Sequence, residues 1–597
     1  MAKSRTIHAP GRRGLQRPVP QQTSARQQLA NRDPNGVYPA TRPEIMPIAI
    51  ASVILAFLAL LVSASRGWML LYGDAVAHLG IARRILDARY PGIAQLGGVW
   101  LPLPHLLMLP FVQRLDWWQN GIAGAWPSLA AYVFGVTGCY ALARKLVPSA
   151  WAFAATAFFA LNPNLLYLST TAMTEPLFLA LLLWSTVVAA EAVESLAAGK
   201  VVTARKRMIV SGLLTMAMVF TRYDGWIIGA AVWVLLALAW WRSSAETRRE
   251  TRRAFITMTV LAVAGPLLWF AYNAKYQGDW LDFMRGPYSA KAIELKTTPP
   301  GSLPRRGMYN PGWAFLYFTR AAQVDAVAYE LGFGVLITSL MGAWLMWRTR
   351  MPRLVALLLW LPLPFYMYSI AWGHIPMFVP QLYPGSYYNS RYGMELLPAF
   401  AICTAVALAA AERRLRATKP KLADAFFFVT LVCIIFNVFA MMGTFGTLLQ
   451  KVRGDDNPRT SRIPKWLSAP PLVYDEAVVN SRTRIPFEVA LSKEILRLHD
   501  AGGGGTIMFD TTDHIGAIQD AGLPLKNLIS PLDSESFYRA ALQPAKYASL
   551  IVAMEGDPVA RAVAAHPEGL TEIEVLCHTG QPCAKIYSSN EMAGSAR

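Results

Sequence analysis

The chain has 597 residues, of which 54% are hydrophobic and only 16% are charged, whereas a soluble globular protein carries about 25% charged residues. Several apolar stretches reach the roughly 20 residues that a helix needs to cross a bilayer, so the composition excludes a soluble protein and predicts an α-helical polytopic membrane protein. The net charge of +19 would suit a nucleic-acid partner, but the basic residues lie in loops between apolar segments, and this placement excludes nucleic acid.

In chain order, residues 1–45 are rich in Arg, Gln and Pro and are predicted to be a disordered, basic cytoplasmic arm; an organelle presequence has a similar composition. Residues 46–449 are predicted to form the membrane domain, and residues 450–597 a soluble extracytoplasmic α/β domain. About eleven transmembrane helices are predicted from the apolar runs. They lie at 46–65, 126–146, 151–169, 173–190, 208–221, 225–241, 254–272, 326–347, 354–372, 393–411 and 425–448.

Alternate connections between these spans are rich in Lys and Arg, and such loops collect on the cytoplasmic side of a membrane. The N-terminus is therefore predicted to be cytoplasmic, and an odd number of spans leaves the C-terminal domain outside. The expected location is a bacterial inner (plasma) membrane, with that domain in the periplasm or extracellular space. The proline-broken apolar segment 101–112 is too short to span and is predicted to lie at the outer interface.

The ionisable residues in or beside the spans gather at their predicted outer ends. Asp74 follows the first span and His78 lies one turn later, so both are expected on one face of an interfacial helix over residues 75–88. Groups at the outer boundary suit an enzyme with a lipid-borne substrate, whereas a transporter keeps such groups near the midplane. The simpler interpretations are that Asp74 only caps this helix and that His78 only faces water. The other members of the set are Glu175, Arg222, Asp224, Asp325, Glu330, Arg391 and Glu395.

A long outer loop, residues 273–324, carries many basic residues, among them Lys291. Basic side chains beside a membrane attract phosphates, so this loop is a candidate for binding a phosphate-bearing substrate. Attraction to anionic lipid headgroups would explain the same residues.

The C-terminal segment alternates predicted strands, at 506–510, 550–554 and 571–576, with predicted helices at 533–542 and 558–565. This pattern favours a small α/β domain. The glycines from Gly502 to Gly505 precede the first strand, so they are predicted to be a linker turn and not a phosphate cradle. Cys577 and Cys583 flank a short turn on the predicted oxidising side, and a disulfide is expected between them.

Five short motifs follow the first span. They are GDAVAHLGIARRI at 73–85, GGVWLPLPH at 97–105, TAMTEPLF at 171–178, TRYDG at 221–225 and YYNSRYGMELLP at 387–398. In this order they resemble the GT-C superfamily of membrane glycosyltransferases, and within it the branch of protein O-mannosyltransferases and lipid A aminoarabinose transferases. The resemblance extends over residues 46–450 and implies a GT-C-like fold.

The resemblance implies an enzyme that uses a sugar carried on polyprenyl phosphate at the outer face of the membrane, with Asp74 as general base. Many members have two adjacent acids at this point, but here Ala75 follows Asp74, so no cofactor is assigned. A divalent metal ion stays an open alternative, with Asp74, His78 and Glu175 as candidate ligands. The substrate-binding candidates are His78, His105, Glu175, Arg222, Asp224, Lys291, Tyr388 and Arg391.

Glycosyl transfer from a phosphate needs a base for the acceptor hydroxyl, and a positioned carboxylate contributes roughly 10²–10⁴-fold. The departing phosphate needs positive charge more than an acid catalyst, and the candidates are Arg391, Arg222 and Lys291. The interpretations of His78 are that it orients the base, binds phosphate or shares a metal.

We therefore expect transfer of a hexosyl or pentosyl unit from a polyprenyl-phosphate donor to a lipid, glycan or protein acceptor. The alternative is a transporter or flippase for a lipid or small solute, in which the outer charges form a gate. A phosphoethanolamine-type transferase is a weaker alternative, because the soluble domain has no recognisable nucleophile with clustered metal ligands.

Overall fold

The computed structural model of the chain describes residues 40–298, 301–328, 330–348, 352–443, 472–502 and 504–590. The predicted cytoplasmic arm up to residue 39 and the predicted start of the soluble domain up to residue 471 lie outside the described residues. In chain order the structure consists of a bundle of apolar helices and a small α/β unit that packs against one end of this bundle.

The bundle contains long apolar helices and short helices in their connections. Its helices are α1 (Arg42–Arg66), α2 (Gly73–Asp87), α3 (Pro102–Val112), α4 (Leu115–Asn120), α5 (Ile122–Arg144), α6 (Ser149–Ala160), α7 (Pro163–Leu168), α8 (Glu175–Ala197), α9 (Val201–Val219), α10 (Asp224–Arg242), α11 (Ala245–Tyr276), α12 (Asp282–Arg285), α13 (Ala290–Thr297), α14 (Pro311–Ala326), α15 (Leu331–Trp347), α16 (Pro352–Trp360), α17 (Pro362–Ala371), α18 (Leu397–Thr418) and α19 (Pro420–Met441). Among the described residues, eight helices are long and apolar enough to cross a membrane, and the pair α14–α15, bent by 103°, is a ninth candidate. The chain is thus a multi-pass helical membrane protein.

Helix α1 illustrates how the sequence sets the ends of a span. Glu44 Oε2 accepts a hydrogen bond from the Thr41 backbone N–H at 2.8 Å and closes a capping box at the start of the helix. Gly67 adopts a left-handed conformation, with φ of 67°, and ends the helix. Most of the apolar surface of α1 is exposed, as expected for a helix that faces lipid.

Three predicted spans differ from the observed helices. The span predicted at 151–169 is divided between α6 and α7, because Asn162 caps a new helix that begins at Pro163. The span predicted at 208–221 is α9, which starts earlier and includes the basic residues 205–207, and it is not among the eight helices apolar enough to cross a membrane. The span predicted at 326–347 is α15, which is joined to α14 at the sharp bend. The predicted interfacial segment 101–112 forms α3, which has 11 residues and is shorter than a span.

Ion pairs hold the basic connections together at one end of the bundle. Arg144, at the end of α5, lies 3.3 Å from Glu44 at the start of α1. Arg207 of α9 lies 2.7 Å from Glu191 of α8. These ion pairs thus join the basic end of α5 to the start of α1 and the end of α8 to the start of α9, and the cytoplasmic orientation of the basic connections stays a prediction.

The C-terminal unit combines a five-stranded sheet with short helices. Its elements are α20 (Leu472–Ser481), α21 (Arg484–Ala501), β1 (Ile507–Phe509), α22 (Thr511–Ala521), β2 (Leu528–Ile529), α23 (Glu535–Leu542), α24 (Pro544–Tyr547), β3 (Leu550–Met554), α25 (Pro558–Ala565), β4 (Leu570–Leu576) and β5 (Ala584–Ser589). The strand order is β2-β1-β3-β5-β4; β1 pairs in parallel with β2 and β3, and β5 is antiparallel to β3 and β4. The strands and helices predicted here are β1, β3, β4, α23 and α25, so the α/β prediction is confirmed. A disulfide joins Cys577 and Cys583 across the β4–β5 hairpin.

Helix α2 lies between the bundle and the C-terminal unit. A Cβ atom on Gly80 would lie 3.1 Å from Ile515 Cγ1 of α22. Beyond the end of α2, the Tyr90 hydroxyl lies 2.7 Å from Ser536 Oγ. The C-terminal unit therefore covers part of α2, and the location of this helix at the membrane surface stays a prediction.

Candidate active site

Asp74 and Arg391 form an ion pair at the end of the bundle that faces the C-terminal unit. Asp74 lies in the first turn of α2, but Tyr72 holds the N-cap position without a side-chain hydrogen bond, so the prediction that Asp74 caps this helix is wrong. The Asp74 carboxylate instead accepts a hydrogen bond from Arg391 Nη2. The Asp74 side chain is 41% exposed and the Arg391 side chain only 7%. A buried cation thus holds a carboxylate that solvent can reach.

Arg391 also contacts a second carboxylate, that of Glu175. Arg391 lies in a 3₁₀ turn, Ser390–Leu396, that leads into α18. Its Nε donates a hydrogen bond to Glu175 Oε1 at 3.1 Å. Glu175 begins α8 and is fully buried. One guanidinium therefore joins the first turns of α2 and α8 through charge-assisted hydrogen bonds.

Arg222, in the loop between α9 and α10, is the second cation of the site. Its Nη1 donates to the same Glu175 oxygen at 3.1 Å. Its Nη2 lies 3.0 Å from Glu395 Oε1, and its Nε lies 3.2 Å from Asp224 Oδ2. The Tyr366 hydroxyl of α17 lies 2.7 Å from Glu395 and 3.0 Å from Asp224. The charge of Arg222 is thereby neutralised by buried carboxylates within the bundle.

Tyr392 lies between the two guanidinium groups. Its ring centroid is 4.9 Å from the Cζ atom of Arg222 and 4.9 Å from that of Arg391. On the α2 side of the site, the Tyr72 ring centroid lies 5.2 Å from the Arg391 Cζ atom. The face of an aromatic ring attracts a cation, so Tyr392 separates two like charges and stabilises both.

His78 and His105 form a buried pair. His78 Nδ1 lies 2.8 Å from His105 Nε2, and the His78 ring stacks on Trp100 with centroids 4.3 Å apart. The interpretation that His78 faces water is wrong. Burial lowers the pKa of His78 to about 3, with a further contribution from Arg391 and Arg222. Burial also lowers the pKa of His105. Both rings are neutral near neutral pH, so His78 does not supply positive charge for a phosphate.

The three candidate metal ligands do not converge on one point. The guanidinium of Arg391 lies between Asp74 and Glu175, and His78 Nδ1 faces His105. In the part of the chain that the structure describes, no group of three or more His, Cys, Asp or Glu side chains is arranged to hold a metal ion. These residues do not fit a metal, and we derive no step through one.

The basic outer loop does not join this cluster. Lys291 is exposed on α13. Arg305 Nε donates to Glu294 Oε1 at 2.6 Å, and His374 Nδ1 lies 2.6 Å from Glu294 Oε2. Burial alone would raise the pKa of Glu294, but the hydrogen bonds from Arg305 and His374 bring it below its usual value. The loop cation Arg305 is thus neutralised by a carboxylate of the same loop.

The remaining candidates lie around the cluster. Tyr388 is 42% exposed at its rim, and burial, followed by the charge of Asp74, raises the pKa of its hydroxyl. Tyr388 therefore stays a hydrogen-bond donor. Asp325 is buried at the end of α14, where its backbone carbonyl accepts a hydrogen bond from Asn162 Nδ2 at 2.8 Å. Glu330 is exposed.

Sequence reasoning missed two residues of the site, Tyr366 and Glu476. Tyr366 is a hydroxyl inside a predicted apolar span, and polarity at that position was a signal that could have found it. Glu476 lies in α20 of the C-terminal unit, where a carboxylate is ordinary, so no sequence pattern distinguishes it. It is 1% exposed and accepts hydrogen bonds from the turn that carries Arg391.

The fold and the site define a class: a multi-pass helical membrane protein with a buried ion-pair network at one end of its helices, covered in part by a small α/β unit. No protein-family model matches the sequence, and no curated protein matches it. Two solved structures are similar to this chain, both of ArnT from Cupriavidus metallidurans. The structure bound to undecaprenyl phosphate has 11% sequence identity and a TM-score of 0.48, and covers 90% of this chain and 99% of that one. The apo structure has 13% identity and a TM-score of 0.48, and covers 90% of this chain and 98% of that one.

Proposed function

We propose that the protein transfers a sugar from a polyprenyl-phosphate donor to an acceptor hydroxyl at the outer face of the membrane, with Asp74 as general base. One contrast among the carboxylates carries this proposal. Asp74 is 41% exposed, whereas Glu175, Asp224 and Glu395 are buried against Arg222. A general base must reach the proton that it removes, and Asp74 is the member of the network that an acceptor can approach.

In the proposed reaction, Asp74 accepts the proton of the acceptor hydroxyl and polyprenyl phosphate is the leaving group. The acceptor oxygen forms a bond to C1 of the sugar while the bond from C1 to the donor phosphate oxygen breaks. The hydroxyl proton passes to the Asp74 carboxylate, and polyprenyl phosphate leaves with the electron pair of the broken bond. Negative charge grows on the leaving phosphate, so a fixed cation beside it lowers the barrier.

Arg391 suits the donor phosphate better than Arg222 does. Arg222 already contacts three buried carboxylates. Arg391 lies beside two buried carboxylates, Glu175 at 3.1 Å and Glu476 at 3.9 Å. Its third partner is the more exposed Asp74. A phosphate that displaces Asp74 would gain a bidentate partner. The same exchange would release the Asp74 carboxylate for proton transfer.

The other candidate residues have supporting roles in this proposal. His78 and His105 are neutral and position α2 and its Asp74. Tyr388 donates a hydrogen bond to the sugar or phosphate from the rim, and Lys291 contacts substrate from the exposed loop. Glu175, Arg222 and Asp224 hold the network in place around the donor. We also propose that residues 46–449 form the transferase domain in a bacterial inner membrane, and that residues 450–597 lie on its outer side.

The experiment is a transfer assay with purified protein in detergent. Synthetic polyprenyl-phosphate hexoses and pentoses serve as donors, and lipids, glycans and peptides serve as acceptors. We expect a glycosylated product for at least one pair, detected by mass spectrometry, and its loss in Asp74→Asn. A comparison of membrane glycolipids and glycans in cells with and without the gene narrows the choice of sugar and acceptor.

The flippase alternative has its own readout. Protein in liposomes that moves a fluorescent polyprenyl phosphate between leaflets, without sugar transfer to any acceptor, would overturn the proposal in favour of a transporter.

A further inference from the structure

We propose that Glu476 is a positioning residue of the active site, supplied by the C-terminal unit, and that it sets the position of Arg391. This inference rests on the proposed function of Arg391. Glu476 Oε1 accepts a hydrogen bond from the Asn389 backbone N–H at 2.9 Å, and Oε2 accepts one from the Ser390 backbone N–H at 2.9 Å. The Ser390 hydroxyl also donates to Oε2. One buried carboxylate thus binds three donors on the two residues that precede Arg391.

The three donors lie at the start of the helical turn that carries Arg391, so Glu476 fixes the position of this turn. Asn389 has a left-handed backbone, with φ of 54°, and Ser390 begins the 3₁₀ turn that leads into α18. The first backbone N–H groups of a helix have no partner within the helix and carry a partial positive charge. Glu476 satisfies them from a distant part of the chain. The start of this helix, and therefore the base of the Arg391 side chain, is fixed by a carboxylate of the C-terminal unit.

The same arrangement controls where an anion can bind. A helix N-terminus is a ready site for phosphate, but here the Glu476 carboxylate occupies it. Glu476 Oε1 also lies 3.9 Å from Arg391 Nη1. A donor phosphate is therefore excluded from the backbone N–H groups of this turn and is directed to the guanidinium.

Contacts on both sides hold α20 against the bundle. The Tyr72 hydroxyl donates to the Val473 carbonyl at 3.0 Å, and the Val473 N–H donates to Asn164 Oδ1 at 3.1 Å. The rings of Trp68 and Tyr474 lie 4.6 Å apart. Helix α20 is thus part of the site wall, and Glu476 reaches the turn from a rigid element.

The test compares Glu476→Gln with Glu488→Gln. Glu488 is also a buried carboxylate of the C-terminal unit and accepts a hydrogen bond from Arg484, but no hydrogen bond or ion pair within the described ranges joins it to Arg391. An amide at position 476 loses the charge and presents an NH₂ group to N–H donors. We expect faster amide hydrogen exchange at Asn389 and Ser390 and about tenfold weaker binding of undecaprenyl phosphate.

The kinetic readout separates positioning from a general loss of structure. Glu476→Gln should raise the donor KM about tenfold and change kcat less, whereas Glu488→Gln should leave exchange at Asn389 and Ser390, undecaprenyl phosphate binding and KM at parent values. A folded Glu476→Gln protein with parent exchange at the two amides and parent affinity would overturn the proposal.

Two further outcomes are distinguished. If the parent protein binds no undecaprenyl phosphate, the proposed function fails, and the exchange at Asn389 and Ser390 still decides whether Glu476 holds the turn. If Glu476→Gln does not fold, Ser390→Ala replaces it, because this change removes only the hydroxyl bond to Glu476. We then expect about threefold weaker binding and faster exchange at position 390; parent values for both would overturn the proposal.

Discussion

Arg391 donates a hydrogen bond to Asp74 across a sequence separation of 317 residues. The pair connects the turn before α18 with the first turn of α2, so the proposed base and the proposed phosphate-binding residue contact each other. A donor phosphate competes with Asp74 for the guanidinium. Substitutions at the two positions should therefore affect donor binding in opposite directions.

Asp74→Asn should lower the rate of sugar transfer by about 10²-fold or more, because an amide cannot take the proton of the acceptor hydroxyl. Binding of undecaprenyl phosphate should not weaken, because Arg391 loses a competing carboxylate. Initial rates, binding in detergent and thermal melting measure these effects. Asp87→Asn is the matched control, since Asp87 lies on the same helix and pairs with Arg83 at 2.8 Å. A folded Asp74→Asn protein with the parent rate would overturn the role of Asp74 as general base.

Arg391→Lys should weaken binding of undecaprenyl phosphate by about tenfold while the protein stays folded. A single ammonium group cannot span Asp74 and Glu175 as the guanidinium does, and it cannot bind a phosphate in a bidentate manner. Titration of undecaprenyl phosphate into purified protein measures the affinity. Arg83→Lys, in the second half of α2 and away from Asp74, should bind undecaprenyl phosphate like the parent. Equal affinities for the parent and Arg391→Lys would reduce Arg391 to a structural residue.

His78 should make the protein less stable in mild acid. Its folded pKa of about 3 lies below the usual value of 6.5, so the unfolded chain binds a proton that the folded site rejects. Stability is complete above pH 6.5 and is lost as the pH falls from 6.5 towards 3. At pH 5.5 the loss is about 1.4 kcal/mol.

The measurement is the drop in Tm between pH 7.5 and 5.5. His78→Phe keeps an aromatic ring against Trp100 and should show a smaller drop in Tm than the parent. The control His566→Gln, in the C-terminal unit, should show the same drop as the parent. Equal drops in the parent and His78→Phe would mean that His78 is as accessible to protons in the folded as in the unfolded protein.

Cys577 and Cys583 should be oxidised in protein purified without reductant, because the C-terminal unit is predicted to lie on the oxidising side. Mass spectrometry of non-reduced peptides should recover one cross-linked fragment that covers the β4–β5 hairpin. Cys139, which is buried in α5, is the internal standard for a free thiol. Two alkylated thiols at positions 577 and 583 would contradict both the pairing and the outer location.

Reporter fusions at Ala245 and Gly443 should give opposite signals. Ala245 begins α11 at the basic end of the bundle, and Gly443 follows α19 at the other end. Positive connections stay in the cytoplasm, so a reporter active only in the cytoplasm should work at Ala245 and fail at Gly443. The reverse pair of signals would invert the whole orientation and place the proposed site on the cytoplasmic side.

Hydropathy predicted the membrane-embedded fold, and the count of crossings predicted that the site residues gather at one end of the bundle. Asp74, Glu175, Arg222 and Arg391 come from distant segments, yet each follows or precedes an apolar run at the same predicted end. Alternating topology therefore brings them to one plane, and in the structure they form one network. Convergence of this kind follows from counting membrane crossings and needs no knowledge of side-chain contacts.

The partners of individual side chains, and the packing of the C-terminal unit on α2, could not be predicted from the sequence in the same way. Periodicity indicates that α2 has an apolar face, but it does not say that α22 covers the helix or that His105 meets His78. Asp74 was a candidate cap because Asp is a preferred N-cap, but the helix begins two residues earlier than predicted, with Tyr72 as N-cap, and the Asp74 carboxylate contacts Arg391. Contacts between distant segments decide such cases, and a single sequence does not contain them.

The sequence separation between Asp74 and Glu476 means that the residues of the site are synthesised at different times. Roughly 400 residues separate the first turn of α2 from the carboxylate that fixes Arg391, and a ribosome adds roughly 5–20 residues per second. About 20–80 s therefore pass between the synthesis of the first and the last of these groups. Arg391 is made about 85 residues before Glu476, so for roughly the last 4–17 s of that interval the nascent chain has Arg391 without the carboxylate beside its turn. A chain released before Glu476 would carry the acid and both arginines but not the carboxylate that is proposed to position Arg391, and we expect such a chain to lack the proposed activity.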